Sequence, residues 1–119
     1  MNAQLFIAEK SARQQQKLIT LNKYIEKFPQ EWKKRLELAD LLYEIGNWSQ
    51  AVIEYNQVIE RESQLLDVHL QLGKILQLMG QKKEALQVYD TALFLSENPG
   101  TQHHIQGLIA VCKGDNEKA

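Results

Sequence analysis

The stretch Leu66–Pro99 reads LDVHLQLGKILQLMGQKKEALQVYDTALFLSENP. The 34 residues before it, Trp32–Leu65, read WKKRLELADLLYEIGNWSQAVIEYNQVIERESQL. Laid over each other without a gap, Leu38 falls on Leu72, Leu42 on Leu76, Gly46 on Gly80, Ala51 on Ala85 and Tyr55 on Tyr89. The same offset carries Gly80 to Gly114, Ala85 to Ala119, and Ala39 to Gly73 and then Gly107. So many coincidences in phase define a repeat. A period of this length implies one small supersecondary unit per repeat, unable to bury its apolar face alone and therefore stacked on its neighbours.

Each unit reads as two helices. Apolar residues recur at helical intervals as Leu38, Leu41, Leu42 and Ile45, and then as Val52, Tyr55, Val58 and Ile59. They return as Leu72, Ile75, Leu76 and Met79, and as Leu86, Tyr89, Ala92 and Leu93. Such spacing gives one apolar stripe per helix, and no stretch alternates as a strand does. Gly46, Gly80 and Gly114 each close a periodic run, where a positive φ ends a helix; Asn47, Gln81 and Asp115 follow as polar starters. Asn47 with Gln50 also suits a capping box. The two prolines, Pro29 and Pro99, stand between periodic segments.

These residues resemble the tetratricopeptide repeat. In that family a small residue on the first helix admits the second helix closely, an alanine early in the second helix meets it, and an aromatic fills the space behind. Gly73, Ala85 and Tyr89 match these roles, as do Ala39, Ala51 and Tyr55. The pattern departs at Leu42 and Leu76, where a tyrosine is usual, and at Ser63, where a closing proline is usual; Pro99 comes slightly late. The resemblance implies an all-α fold, a right-handed superhelix of antiparallel helix-turn-helix hairpins. It divides the chain into an N-terminal helical cap or degenerate repeat over 1–31, repeats over 32–65 and 66–99, and a partial third repeat over 100–119. In the cap, Leu21, Tyr24 and Ile25 fall in phase with Tyr55, Val58 and Ile59, whereas Phe28 meets Glu62. A helix is expected over 14–27, with 2–10 also helical. In the third repeat a helix over 101–113 is expected to turn at Gly114 and restart at Asp115, with Ala119 as the docking alanine.

The resemblance also implies where partners bind. In the family the first helix of each hairpin lines a concave surface, which here assigns Leu36, Asp40 and Tyr43, then Leu70, Lys74 and Gln77, then His104, Leu108 and Val111 to a partner-binding groove. Apolar anchors among polar groups suit an extended or helical peptide; the alternative is that these residues are merely solvated. Some members hold a C-terminal carboxylate with lysine, asparagine and arginine. Lys74 alone supplies positive charge at the matching positions and Asp40 repels an anion, so that mode is not expected.

Composition bounds the rest. The chain has 119 residues, 44% apolar and 24% charged, with a net charge of -1. That balance fits a soluble globular domain and opposes nucleic-acid binding, which needs clustered positive charge. One cysteine, Cys112, forms no internal disulfide and fits a reducing, cytoplasmic setting. No apolar run reaches a membrane span, and Leu5–Ala8 is too short for a signal-peptide core.

No catalytic, metal or cofactor site is expected. His103 and His104 are consecutive and diverge by about 100° on a helix. Cys112 is expected on the same face as His104 but two turns away, too far for one ion or for a nucleophile pair. Asn47-Trp48-Ser49 matches a glycosylation sequon but reads as a helix start. Lys33-Lys34-Arg35 reads as a solvated helix start rather than a nucleic-acid patch. The functional expectation is a protein-interaction scaffold, not an enzyme. Two other readings stand beside it. One is a docking or regulatory module of a longer enzyme, since the last helix presents Ile105, Leu108, Ile109, Val111 and Cys112 with no complete partner after it. The other is self-assembly, a homodimer through that open C-terminal edge.

Overall fold

The computed structural model describes the backbone of residues 3–118 and the side chains of residues 8–114. Six helices make up the described chain: α1 Ala3–Lys27, α2 Trp32–Glu44, α3 Trp48–Arg61, α4 Leu66–Leu78, α5 Lys82–Leu95 and α6 Pro99–Lys118. Among the described residues there is no strand. Contacts divide the chain into two compact units, Met1–Arg61 with α1 to α3 and Glu62–Ala119 with α4 to α6.

Each unit contains one hairpin of the repeat, and the glycine at its turn works as the sequence suggests. Gly46 has φ 88° and Gly80 φ 80°, a region that costs an L-residue with a Cβ about 1–2 kcal/mol. The amide of Gly46 donates to Tyr43 O at 3.1 Å and that of Asn47 to Leu42 O at 2.9 Å. Thirty-four positions later Gly80 donates to Gln77 O at 3.0 Å and Gln81 to Leu76 O at 2.8 Å. Two such reversed bonds satisfy the last carbonyls of α2 and α4 and turn the chain at once into the next helix. The turns are thus made by main chain. Asn47 contributes its backbone, its carbonyl receiving Ala51 N–H at 3.0 Å.

Within the first unit, Leu38, Ala39, Leu41 and Leu42 of α2 are buried, as are Ala51, Tyr55 and Val58 of α3, and Leu21 and Ile25 of α1. Tyr55, Ala51 and Ala39 are fully enclosed. Tyr24 packs its ring 4.9 Å from that of Phe28, tilted by 44°, and its hydroxyl donates to Glu31 Oε2 at 2.6 Å. That hydrogen bond holds the phenol above its ordinary pKa. Phe28 itself is 48% exposed, in keeping with its failure to match an apolar residue in the repeat.

The second unit repeats the plan more tightly. Tyr89 lies so close to α4 that a Cβ at Gly73 would stand 2.5 Å from Tyr89 Cε1 and 2.8 Å from Cδ1. Those separations exclude any side chain there unless the ring shifts. In the first unit Ala39 occupies the equivalent position. The tyrosine ring, rather than helix propensity, is what Gly73 answers to.

The bounds of α1 and α6 need correction. The segments 2–10 and 14–27 form one helix, α1, because residues 11–13, Ser-Ala-Arg, carry no breaker; Asn2 lies outside the described residues. More consequentially, α6 does not stop at Lys113. It runs through Gly114 to Lys118, and the positive-φ glycines among the described residues are Gly46 and Gly80 alone. At those two turns a following helix docks an alanine on its partner, which rewards breaking the ladder. After Gly114 no docked helix follows among the described residues, and the uninterrupted ladder is kept at the modest cost of a helical glycine, about 1 kcal/mol. Ala119, the expected docking residue, lies outside the described residues.

The start of α6 also differs from the expected Thr101. Pro99 opens it as the first helical residue, where a missing N–H costs nothing. Asn98 caps it: its Oδ1 accepts Thr101 N–H at 3.2 Å and its carbonyl accepts Gln102 N–H at 2.9 Å. The late proline is therefore a helix opener.

Candidate protein-interaction surface

The residues assigned from the resemblance fall on matching strips of three helices, at i, i+4 and i+7. On α2, Leu36 and Tyr43 are half-buried and Asp40 is exposed. On α4, Leu70 and Gln77 are half-buried and Lys74 is exposed. On α6, His104 is exposed, Leu108 half-buried, and Val111 is 59% exposed. This spacing follows from the core: Leu38, Leu41 and Leu42 on α2, and Leu72, Ile75 and Leu76 on α4, are turned inward and leave the intervening positions outward.

Two of these residues already have work within their hairpins. The Tyr55 hydroxyl donates to Asp40 Oδ1, and the Tyr89 hydroxyl donates to Gln77 Oε1 at 3.1 Å. Burial, then the hydrogen bond to Asp40 and its negative charge, push the Tyr55 phenol far above its ordinary pKa. Burial likewise raises that of Tyr89. Both phenols are neutral donors near neutral pH. Tyr55 and Tyr89 occupy equivalent places, yet their acceptors differ by one helical turn: Asp40 is equivalent to Lys74, and Gln77 to Tyr43. Repeat matching pairs like positions and gives no sign of this cross-helix exchange.

A second feature escapes the repeat pattern. Arg35 Nη1 meets Glu54 at 2.9 Å from Oε1 and 3.3 Å from Oε2, with side chains 15% and 8% exposed. The expectation that Lys33-Lys34-Arg35 is a solvated helix start is corrected for Arg35, which clamps α2 to α3. Lys34 is more exposed and bridges Glu37 at 3.0 Å. Position 35 corresponds to His69, which is buried, with Nε2 2.8 Å from Ser63 O. Position 54 corresponds to Val88, so the second hairpin lacks the ion pair. Among the described residues every buried side-chain nitrogen and oxygen has a partner.

His104 and Cys112 do not share a face. Eight residues at 100° each leave about 80° between them; Cys112 is fully buried seven residues after Ile105, and His104 is exposed. Among the described residues no group of three or more His, Cys, Asp or Glu side chains is arranged to hold a metal ion. No described helix is long and apolar enough to cross a membrane.

Repeated hairpins with a backbone-made glycine turn and a tyrosine wedged beneath a small residue define an all-α helical-repeat protein. Residues 35–64 match the tetratricopeptide repeat family model, about a quarter of the chain, and the helices on either side have the fold of such repeats. The fold is similar to that of SycD, the type III secretion translocator chaperone of Yersinia enterocolitica, with a TM-score of 0.79 at 14% identity over 94% of this chain and 80% of that one. It is similar to the TPR2B domain of yeast Sti1, solved as a pHsp70 complex, with a TM-score of 0.73 at 14% identity, covering 89% of this chain and 87% of that one. It is also similar to PcrH, solved in complex with the chaperone binding region of PopD, with a TM-score of 0.77 at 10% identity over 93% and 86% of the two chains. Among curated proteins no sequence matches.

Proposed function

We propose that this chain is a non-catalytic scaffold that binds a peptide or helix of a partner protein on the outward strips of its first helices. The observation that carries the reading is the composition of those strips. Each combines half-buried apolar or aromatic groups, such as Leu36 and Tyr43 or Leu70, with an exposed polar or charged group, such as Asp40 or Lys74. Apolar surface that is partly covered loses little entropy on binding, and the charged group between anchors fixes register. The similar folds of Sti1 and PcrH were solved with protein partners, which supports the same use of the fold here. Lys74 takes part in neither of the ion pairs among the described residues and is available to an acceptor on the partner.

The test is selection of binders from a displayed random-peptide library, followed by Leu70→Glu and Lys74→Glu. Both positions lie outside the buried core, so helicity is expected to persist. The selected peptides are expected to lose at least tenfold in affinity to either variant. Peptides that bind both variants as tightly as the parent chain would remove the assignment.

A further inference from the structure

The outward strip of α4 differs in chemistry from its counterpart on α2. Leu70, Lys74, Gln77 and Leu78 fall within about 100° of arc, and Leu70 and Leu78 stand about 12 Å apart along the axis. Leu70 and Gln77 are half-buried, Lys74 is exposed, and Leu78 is 55% exposed. The equivalent positions of α2 hold Leu36, Asp40, Tyr43 and Glu44. Two acids of the first hairpin are thus replaced in the second by a lysine and a leucine. The one acidic residue of α4, Asp67, lies in its first turn, two turns before Lys74.

The buried tyrosine adds to the contrast. Tyr89 is fully enclosed, and its hydroxyl holds Gln77 by the amide oxygen, Oε1, at 3.1 Å. Gln77 Nε2 has no hydrogen-bond partner, whereas every buried side-chain nitrogen and oxygen among the described residues has one, so Nε2 reaches solvent. An amide nitrogen only donates, and so does an ammonium. Lys74 enters no ion pair or hydrogen bond among the described residues, and residues three apart on a helix are surface neighbours. Between its two leucines the strip therefore offers two adjacent donors, one of them a cation, and no carboxylate. A partner that lays apolar groups on Leu70 and Leu78 also covers the ammonium between them, and a covered charge without a counter-charge is strongly unfavourable. A peptide carbonyl would accept a hydrogen bond but leave the charge. A carboxylate answers both, with a second oxygen for Gln77 Nε2.

We infer, on the basis of the peptide binding proposed above, that the α4 strip takes an acidic segment of a partner protein. An aspartate or glutamate side chain of that segment sits on Lys74 Nζ and Gln77 Nε2, between two apolar residues that cover Leu70 and Leu78. The carboxylate belongs to a side chain and not to a chain end, because apolar surface on both sides of Lys74 calls for a segment that runs past it in both directions.

The test uses peptides selected on the whole chain from a displayed random library and synthesised with free and with amidated C-termini. Those that lose at least tenfold in affinity to Leu70→Ser, which removes the apolar anchor without adding charge, are the α4 binders. They are expected to bind equally well when amidated and to share an acidic residue between apolar ones. Changing that residue to its amide is expected to cost at least tenfold against the parent chain and less than threefold against Lys74→Met or Gln77→Glu. Gln77→Glu keeps an acceptor for Tyr89, as Asp40 does for Tyr55, so its helicity is expected to match the parent's while the donor is lost. α4 binders without an acidic residue, binders that need a free C-terminal carboxylate, or an amide penalty undiminished in either variant would each overturn the inference and leave peptide binding in place. If no selected peptide is weakened by Leu70→Ser, the peptide-binding reading of this strip falls, and the acidic partner with it.

Discussion

Replacing Gly73 by alanine isolates the closest contact in the fold. On a bare helix the change is favourable by about 1 kcal/mol, because alanine loses less backbone freedom than glycine. Here the new methyl would stand 2.5, 2.8 and 3.0 Å from three ring atoms of Tyr89. The ring is the body of a fully buried side chain whose hydroxyl is tied to Gln77, so it must move by roughly 1 Å. Overpacking of that kind costs about 3 kcal/mol, and the net expectation is a loss of about 2 kcal/mol. In urea this lowers the midpoint by about 1 M for a chain with an m-value near 2 kcal/mol/M. The same substitution in a Tyr89→Ala background has no ring to meet and should recover the helix term, stabilising by up to about 1 kcal/mol. A Gly73→Ala protein as stable as the parent, or the same loss with and without Tyr89, would refute the reasoning.

Gly46→Ala and Gly80→Ala each force an alanine to positive φ and should cost about 1–2 kcal/mol in urea denaturation. Gly114→Ala, inside α6, should be neutral or stabilising by up to about 1 kcal/mol, and a loss equal to that at Gly46 would restore the turn expected from the period. Arg35→Ala strands the mostly buried Glu54 carboxylate and should cost about 2–4 kcal/mol, with the Arg35→Met, Glu54→Leu double variant closer to the parent. The phenols of Tyr55 and Tyr89 have folded pKa values raised above the unfolded one, so their contribution is full below about pH 10 and is lost as pH climbs through the folded values. Absorbance at the phenolate band should show these two of the four tyrosines ionising together with loss of helicity, and titration of all four near pH 10 in a still-helical protein would contradict this.

The hairpins were legible because the features that build them are local and repeat. Gly46 and Gly80 mark turns that need positive φ, and the Ala51–Tyr55 and Ala85–Tyr89 pairs mark the close approach of two helices. Gly114 misled because the period marks only where a turn glycine can stand, and within α6 the same residue type is a tolerated helical glycine. By period Pro99 stands near the close of a repeat, yet after Asn98 it is as well placed to open a helix. The strips on α2 and α4 could be assigned from the resemblance, since outward positions follow from inward ones. Their internal bonds could not. Tyr55 to Asp40 and Tyr89 to Gln77 break the repeat by one turn, and Arg35 to Glu54 joins residues 19 apart that no periodic pattern couples.

Amide chemical-shift mapping with a library-selected peptide tests the binding account most directly. The account predicts shifts centred on the outward strips of the first helices, at Leu36, Asp40 and Tyr43 of α2 and at Leu70, Lys74 and Gln77 of α4. Shifts confined to the exposed faces of α3 and α5, around Ile53 or Phe94, would contradict it.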